Sequence, residues 1–279
     1  MQLEYIIHNH QLLNANQQIL TARNRGFRYG DGLFESMRMC DGKLKFAELH
    51  AERLQAGMKA LKIEGGVLFD AYFLKQKTAE LSRKNKLKDN ARFRLSVYRD
   101  GEGLYTPESN EAGYILEASP MADNSYQLNK KGLIVSVYSE LAKPVNMLSN
   151  YKTSNSQLYV MAGLFKQQNR LDEAFILNQH GFLCESISSN IFVVYDKQIY
   201  TPALSEGCIA GVMRKAVMNL AKENNVSIIE AQINPEVLQA ADEVFITNAS
   251  SGIRWVMGYG RKRYFNEITK SMSALLNAL

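Results

Sequence analysis

What most constrains this chain is the way its hydrophobic period switches between that of a strand and that of a helix, again and again, in both halves. Alternating runs such as EYIIHNHQLL, LFESMRMC, ARFRLSVYR and LIVSVY are separated by segments whose apolar residues recur at helical spacing. Interleaved strands and helices predict a two-lobed α/β or α+β protein. Residues 119–131 (SPMADNSYQLNKK) are polar and lack any apolar period. They read as a linker between an N-terminal domain, 1–118, and a C-terminal domain, 132–279.

In chain order, EYIIHNHQLL predicts two short strands about Asn9 and His10. Residues 23–46 (RNRGFRYGDGLFESMRMCDGKLKF) carry Gly26, Gly30 and Gly32 before a strand over 33–40 that turns at Asp41-Gly42. Arg28, Tyr29 and Asp31 stand at its entrance, and a glycine-rich turn that merely enters a sheet has the same pattern. Residues 47–63 form an amphipathic helix with Leu49, Leu54, Met58 and Leu61 near one face. Arg53 borders that stripe, where it binds a phosphate or pairs on the surface with Glu48 or Glu52. A second helix covers 67–84. If ARFRLSVYR is extended, Arg92 and Arg94 share one face and Phe93, Leu95 and Val97 the other. An anion between the two arginines, or simple solvent exposure, accounts for that arrangement. A loop over 100–107 (DGEGLYTP) and a strand over 114–118 complete the first half. The second half reads as strands over 133–138, 174–177, 182–186, 190–195 and 227–231, a helix over 211–225, a short helix over 235–241, a strand over 244–247 and a closing helix over 268–279.

Of the 279 residues, 46% are hydrophobic and 22% charged, with a net charge of +5. Basic and acidic residues are mixed, as in LSRKNKLKDNARFR, which argues against a nucleic-acid groove and leaves room for a basic pocket that takes a small anion. Cys40, Cys184 and Cys208 are scattered and make no zinc spacing with His8, His10, His50 and His180. The expectation is a reduced cytoplasmic protein with no structural metal. The start, MQLEYIIHNHQLL, has no leader pattern, and no apolar run is long enough to span a membrane.

The stretch NMLSNYKTSNSQLYVMAG sets Lys152 among small polar residues ahead of an apolar run. In a partly desolvated pocket a lysine loses its charge readily and attacks a carbonyl, although a solvated lysine before a helix looks the same in sequence. Glu185 closes a strand, and two small-residue turns, EGCIAG and TNASSG, can present backbone N–H groups to an anion. Together, an amine, a carboxylate, Arg53 and two anion cups suggest a phosphorylated aldehyde cofactor.

Five stretches, in this order and spanning nearly the whole chain, resemble the class IV, fold-type IV pyridoxal-phosphate enzymes: RYGDGLFESMR, ELHAERL, NYKTSN, ESISSNIF and DEVFITNASSGI. That family includes branched-chain aminotransferases, D-amino-acid aminotransferases and aminodeoxychorismate lyases. The resemblance implies a smaller N-terminal α/β domain, a larger C-terminal pseudo-barrel domain, a homodimer with active sites between the lobes, and pyridoxal 5′-phosphate as cofactor. It implies amino transfer between a branched-chain-like or related L-amino acid and a 2-oxo acid. The alternative is release of pyruvate and 4-aminobenzoate from aminodeoxychorismate.

By position, Lys152 resembles the lysine that carries the cofactor and moves the proton between the substrate α-carbon and C4′. Glu185 resembles the acid on the ring nitrogen, and Arg53 the phosphate arginine. Ile209 and Ala210 resemble the helix-start phosphate cup, with Ala210 where the family often has threonine. Ala249 and Ser250 resemble the second cup, with Ser250 or Ser251 replacing the lost hydroxyl. Tyr29, Phe34, Arg92, Arg94, Ser250 and Ser251 fall at substrate-binding positions. Arg92 departs from the tyrosine that branched-chain enzymes tend to have, and GLYTP replaces the Arg-x-His trap of the D-specific enzymes. GDGLFES and TNASSGIRWV are also similar to aminodeoxychorismate lyases, whose two-carboxylate substrate would suit Arg92 with Arg94.

Overall fold

The computed structural model describes residues 4–278; Met1–Leu3, at the head of the opening segment, and Leu279, the expected end of the last helix, lie outside the described residues. By internal contacts the chain divides into two units, Met1–Asn124 with Tyr151–Ser156, and Ser125–Asn150 with Gln157–Leu279.

The first unit is organised by one antiparallel sheet. Its elements are β1 (Tyr5–His8), β2 (Gln11–Asn14), α1 (Arg25–Tyr29), β3 (Gly32–Cys40), β4 (Lys43–Leu44), α2 (Ala47–Ala60), α3 (Ala71–Lys84), β5 (Ala91–Arg99) and β6 (Ala112–Pro120), with strand order β2-β1-β6-β5-β3-β4. The two-residue period puts Leu33, Met37 and Met39 of β3, and Phe93, Leu95 and Val97 of β5, on one face. There they form a core with Leu54 and Met58 of α2 and Leu74 and Leu81 of α3. Burying each such side chain contributes about 1.5–3 kcal/mol. Glu35 has the same parity as these residues and is 1% exposed, so a carboxylate lies in the apolar layer and requires partners there. Phe34, Ser36 and Arg38 have the opposite parity, in register with Ser96, Arg94 and Arg92.

Two local departures from the sequence reading have identifiable causes. The glycine-rich entrance to β3 contains the short helix α1, because the Asn24 side chain accepts the Phe27 N–H. The helix expected from 67 begins at Ala71, because Asp70 caps it by accepting the Phe73 N–H at 2.7 Å.

The second unit contains β7 (Leu133–Lys143), α4 (Gln157–Gln168), β8 (Glu173–Asn178), β9 (Leu183–Ser186), β10 (Asn190–Tyr195), β11 (Gln198–Pro202), α5 (Val212–Glu223), β12 (Ile228–Ala231), α6 (Val237–Ala240), β13 (Glu243–Asn248), β14 (Gly252–Tyr259), β15 (Lys262–Arg263) and α7 (Glu267–Asn277). Its sheet runs β12-β11-β10-β13-β14-β7-β8-β9, with β15 beside β14. β7 pairs in parallel with β8 and β14, and β11 with β12. The end strand β9 packs back against β10 and β11, which gives the sheet a barrel-like curl. Val135, Phe175, Leu183, Ile191, Val193, Val244, Ile246 and Val256 fill its core. The sequence reading has no counterpart for β14, whose alternation is broken by Arg254, Gly258 and a register shift between Val256 and Gly258. The buried Glu243 carboxylate accepts the N–H groups of Ile268 and Thr269 at 2.8 and 2.9 Å and so caps α7.

Candidate functional site

In the first unit, residues 151–156 pair with the entrance of β3. The Phe34 N–H donates to the Lys152 carbonyl and the Ser154 N–H to the Gly32 carbonyl, both at 2.9 Å, and Leu33 bridges to Thr153. The backbone on both sides of Lys152 is therefore fixed by main-chain bonds, and α4 begins only at Gln157. On its β5 side Gly32 leaves no room for a side chain, since a Cβ there would lie 2.4 Å from the Val97 carbonyl oxygen. The Lys152 Nζ sits 4.3 Å from the centroid of the Phe34 ring, and the Arg94 Cζ sits 3.8 Å from the same centroid. Two cations at one ring create a locally positive site that favours an anion. Burial lowers the Arg94 pKa, partly offset by Glu117, its partner in register on β6. Arg92 is exposed and lies opposite Arg38. Tyr29 is half-buried, with the Arg25 guanidinium 5.1 Å from its ring centroid and Tyr105, from the 100–107 loop, at 5.5 Å.

Arg53 is held from within the apolar layer. Its Nε donates to Glu35 Oε1 at 2.8 Å and a terminal nitrogen to Oε2 at 2.5 Å, while His50 Nδ1 contacts Oε2 at 2.6 Å. The fork shape of guanidinium matches both carboxylate oxygens, so the ring of contacts sets the direction of the arginine as well as its charge balance. Burial alone would push the Glu35 carboxyl upward, but Arg53 and His50 outweigh it and hold the pKa at about 2. Arg53 is thus bound to the buried Glu35, and Glu48, one of the surface partners considered for it, pairs with Lys75 at 2.6 Å. Sequence reasoning missed Glu35 and His50. The available signal was an acid on the apolar parity of β3 and a histidine one turn before Arg53 on α2.

In the second unit, Glu185 on β9 is 3% exposed. Its Oε1 accepts from Lys143 Nζ and, at 2.6 Å, from the Tyr159 hydroxyl; its Oε2 accepts from the Ile209 N–H at 2.8 Å. Burial and the neighbouring Glu185 charge push the Tyr159 phenol well up, so it remains a neutral donor. Lys143 and Tyr159 were also missed, because the contact depends on where β7 and α4 bring them.

The expected first cup has a different layout. The Ile209 N–H is committed to Glu185 and the Ala210 N–H donates to the Asn150 carbonyl at 2.9 Å, so both residues precede the helix. α5 starts at Val212 with Gly211 as its cap, and the N–H groups of its first turn belong to Val212 and Met213. A Cβ on Gly211 would lie 1.9 Å from Asn190 Oδ1, and the Asn190 amide donates to the Ile209 carbonyl at 2.8 Å. In the second turn, the Ser250 and Ser251 N–H groups converge on Asn248 Oδ1 at 3.0 and 2.8 Å, and the Ala249 carbonyl accepts from the Tyr126 hydroxyl. The Asn248 amide donates to Ser189 Oγ at 2.9 Å. The adjacent residues Ser189 and Asn190 thus tie the two turns to the same end of β10.

Among the described residues no group of three His, Cys, Asp or Glu side chains could hold a metal ion, and the three cysteines are free and buried.

The sequence is 29% identical over 248 residues to a Methanocaldococcus jannaschii protein carrying the name of a branched-chain-amino-acid aminotransferase, covering 88% of this chain and 84% of the other. It is 26% identical over 244 residues to the aminodeoxychorismate lyase of Bacillus subtilis, covering 86% and 82%. The branched-chain aminotransferase of Thermoproteus uzoniensis superposes with a TM-score of 0.88 at 23% identity, over 98% of this chain and 93% of that one, which shows the shared fold. The sequence model of amino-transferase class IV matches residues 32–258, and the chain is therefore a member of the class IV amino-transferase family, with its fold-type IV architecture and its dependence on pyridoxal phosphate.

Proposed function

We propose that this protein is an aminotransferase that passes an amino group between a branched-chain-like or related L-amino acid and a 2-oxo acid. The observation that carries the reading is Lys152: a primary amine on a main-chain-pinned segment, beside an aromatic ring it shares with the Arg94 guanidinium. The donor set fits pyridoxal phosphate, with an amine for its aldehyde, a buried carboxylate for its ring nitrogen, and a guanidinium and helix-start N–H groups for its phosphate.

When bound, the cofactor supplies an electron sink for the pair left on the substrate α-carbon. Lys152 would hold it through its Nζ, and the same amine, when not so engaged, would carry the proton between the substrate α-carbon and C4′. Glu185 keeps a proton on the ring nitrogen. Arg53, aimed by Glu35 and His50, would hold the phosphate together with the N–H groups that open α5, at Val212 and Met213, and with the Ala249 N–H and the Ser250 hydroxyl of the second turn. Ile209 and Ala210 fix the approach to that helix and couple it to Glu185. Arg94 draws in the substrate carboxylate with help from Ser250 and Ser251, Tyr29 and Phe34 line its side-chain pocket, and Arg92 stands at the rim. The working assembly is a homodimer, and free buried cysteines suit a cytoplasmic location.

Relatives named for amino transfer and for lyase chemistry match at 29% and 26% identity, so kinship alone does not choose between the two reactions. The inequality of the arginines favours amino transfer: Arg94 is half-buried at Phe34, whereas Arg92 is exposed. A substrate with two carboxylates needs both. Absorbance of the cofactor-loaded enzyme tests this. An L-amino acid should convert the cofactor band to the amine form and a 2-oxo acid should restore it. Pyruvate released from aminodeoxychorismate, with no conversion by any amino acid, would replace this reading with the lyase.

A further inference from the structure

We propose that Lys143 and Tyr159 are positioning residues that act through Glu185 to keep the cofactor's ring nitrogen protonated. The inference rests on the role given to Glu185 above.

The geometry is specific. Lys143 is the last residue of β7, and the pairing of β7 with β8 shifts register between Tyr138 and Lys143. Such an irregularity re-aims a side chain, and here the Lys143 ammonium ends on Glu185 Oε1. Its backbone is fixed there as well, with the Lys143 carbonyl accepting the Gln179 N–H at 3.0 Å. Tyr159 reaches the same oxygen from α4, and the Ile209 N–H holds the other. A carboxylate offers about four lone-pair directions, so these three donors leave it able to receive one more.

The electrostatic consequence follows from where one proton resides. Between a pyridine nitrogen and a carboxylate, the proton can sit on either. Lys143, Tyr159 and the Ile209 N–H already take three acceptor directions of Glu185, so the carboxylate meets the nitrogen as an acceptor and the proton stays on the nitrogen. Without the Lys143 ammonium, Oε1 loses one of the donors that hold Glu185 in this accepting role. The proton then moves from nitrogen to oxygen, with no other bond made or broken, and the neutral ring becomes a poorer electron sink. Tyr159 contributes as a donor that stays protonated, because burial and Glu185 push its phenol up.

The test is the magnetic resonance signal of the ring nitrogen in enzyme loaded with pyridoxal phosphate isotopically labelled at that atom. The native protein should show a protonated nitrogen. Lys143→Met should move the signal toward unprotonated pyridine and slow exchange of the substrate α-proton by about 10- to 100-fold, the range seen when a partner that orients a ligand is removed. Lys143→Arg should restore both, and Tyr159→Phe should move the signal in the same direction. A purely structural ion pair would alter stability and leave the signal where it was. Glu185→Gln separates the two ideas. If it shifts the signal and Lys143→Met does not, the inference about Lys143 fails while the role of Glu185 stands; if neither shifts it, the role of Glu185 fails. Should Lys143→Met not fold, Tyr159→Phe decides by the same signal, and an unchanged resonance overturns the proposal.

Discussion

At the scale of single residues, Glu35 does the least obvious work. Its carboxylate lies among core side chains, orients Arg53 through two contacts and has a pKa of about 2 instead of the ordinary 4.5. A depressed carboxylate contributes stability that is fully present above the unfolded value and is lost as pH falls through the folded one. The window here runs from pH 4.5 down to about 2, and the contribution is on the order of 3 kcal/mol. Glu35→Gln should therefore unfold at lower urea than the native protein at neutral pH, with the gap closing as pH is lowered through that window. A gap that does not change with pH would contradict the paired-carboxylate account. The same variant should bind pyridoxal phosphate more weakly, because Arg53 loses the partner that aims it; unchanged affinity in a fluorescence titration would detach Glu35 from the cofactor. Lys152, Arg53 and Glu185, whose cofactor roles are proposals, were visible as candidates in sequence because each sits in a distinctive local string. Glu35, His50, Lys143 and Tyr159 were not, because what makes them matter is the partner that sheet parity or a strand irregularity brings to them.

At the scale of elements, the sequence reading was most successful where a period was clean. The β1–β2 hairpin turns at Asn9 and His10, both at positive φ, and the Arg92/Phe93 alternation of β5 is the one expected. It was least successful where side-chain capping or an interrupted period decided the outcome, as at Asp70 before α3 and in β14. The start of α5 matters most for function, since a helix that begins at Val212 moves the available N–H groups past Ile209 and Ala210. The pairing of β3 with residues 151–156 was also invisible in sequence, being a contact between segments more than a hundred residues apart. The close packing of β5 on the other side of this entrance makes a prediction at Gly32. A methyl group there meets the Val97 carbonyl, so Gly32→Ala should lower stability by about 1–3 kcal/mol in urea unfolding and weaken retention of the cofactor on gel filtration. Native stability and full cofactor retention would show that this close approach is dispensable.

At the scale of the whole molecule, the first unit exposes Phe27 at 79%, Leu104 at 72% and Tyr105 at 89%. Arg25 links these places, since it neighbours Phe27 in α1 and donates to the Gly103 and Leu104 carbonyls. Exposed apolar side chains held on a braced loop suit burial in a subunit interface. Light scattering at micromolar concentration should give the mass of a dimer, and Tyr105→Asp should shift it toward monomer; a native monomer would contradict the proposed assembly.

The functional expectations among these depend on which amine holds the cofactor, and one measurement addresses that directly. Borohydride reduction of the cofactor-loaded enzyme, followed by proteolysis and mass spectrometry, fixes the cofactor to the lysine that carried it. The account predicts the phosphopyridoxyl group on Lys152 alone, with no labelled peptide from Lys152→Ala. A label on Lys143 or on any other lysine, or none in an enzyme shown to be loaded, would contradict it.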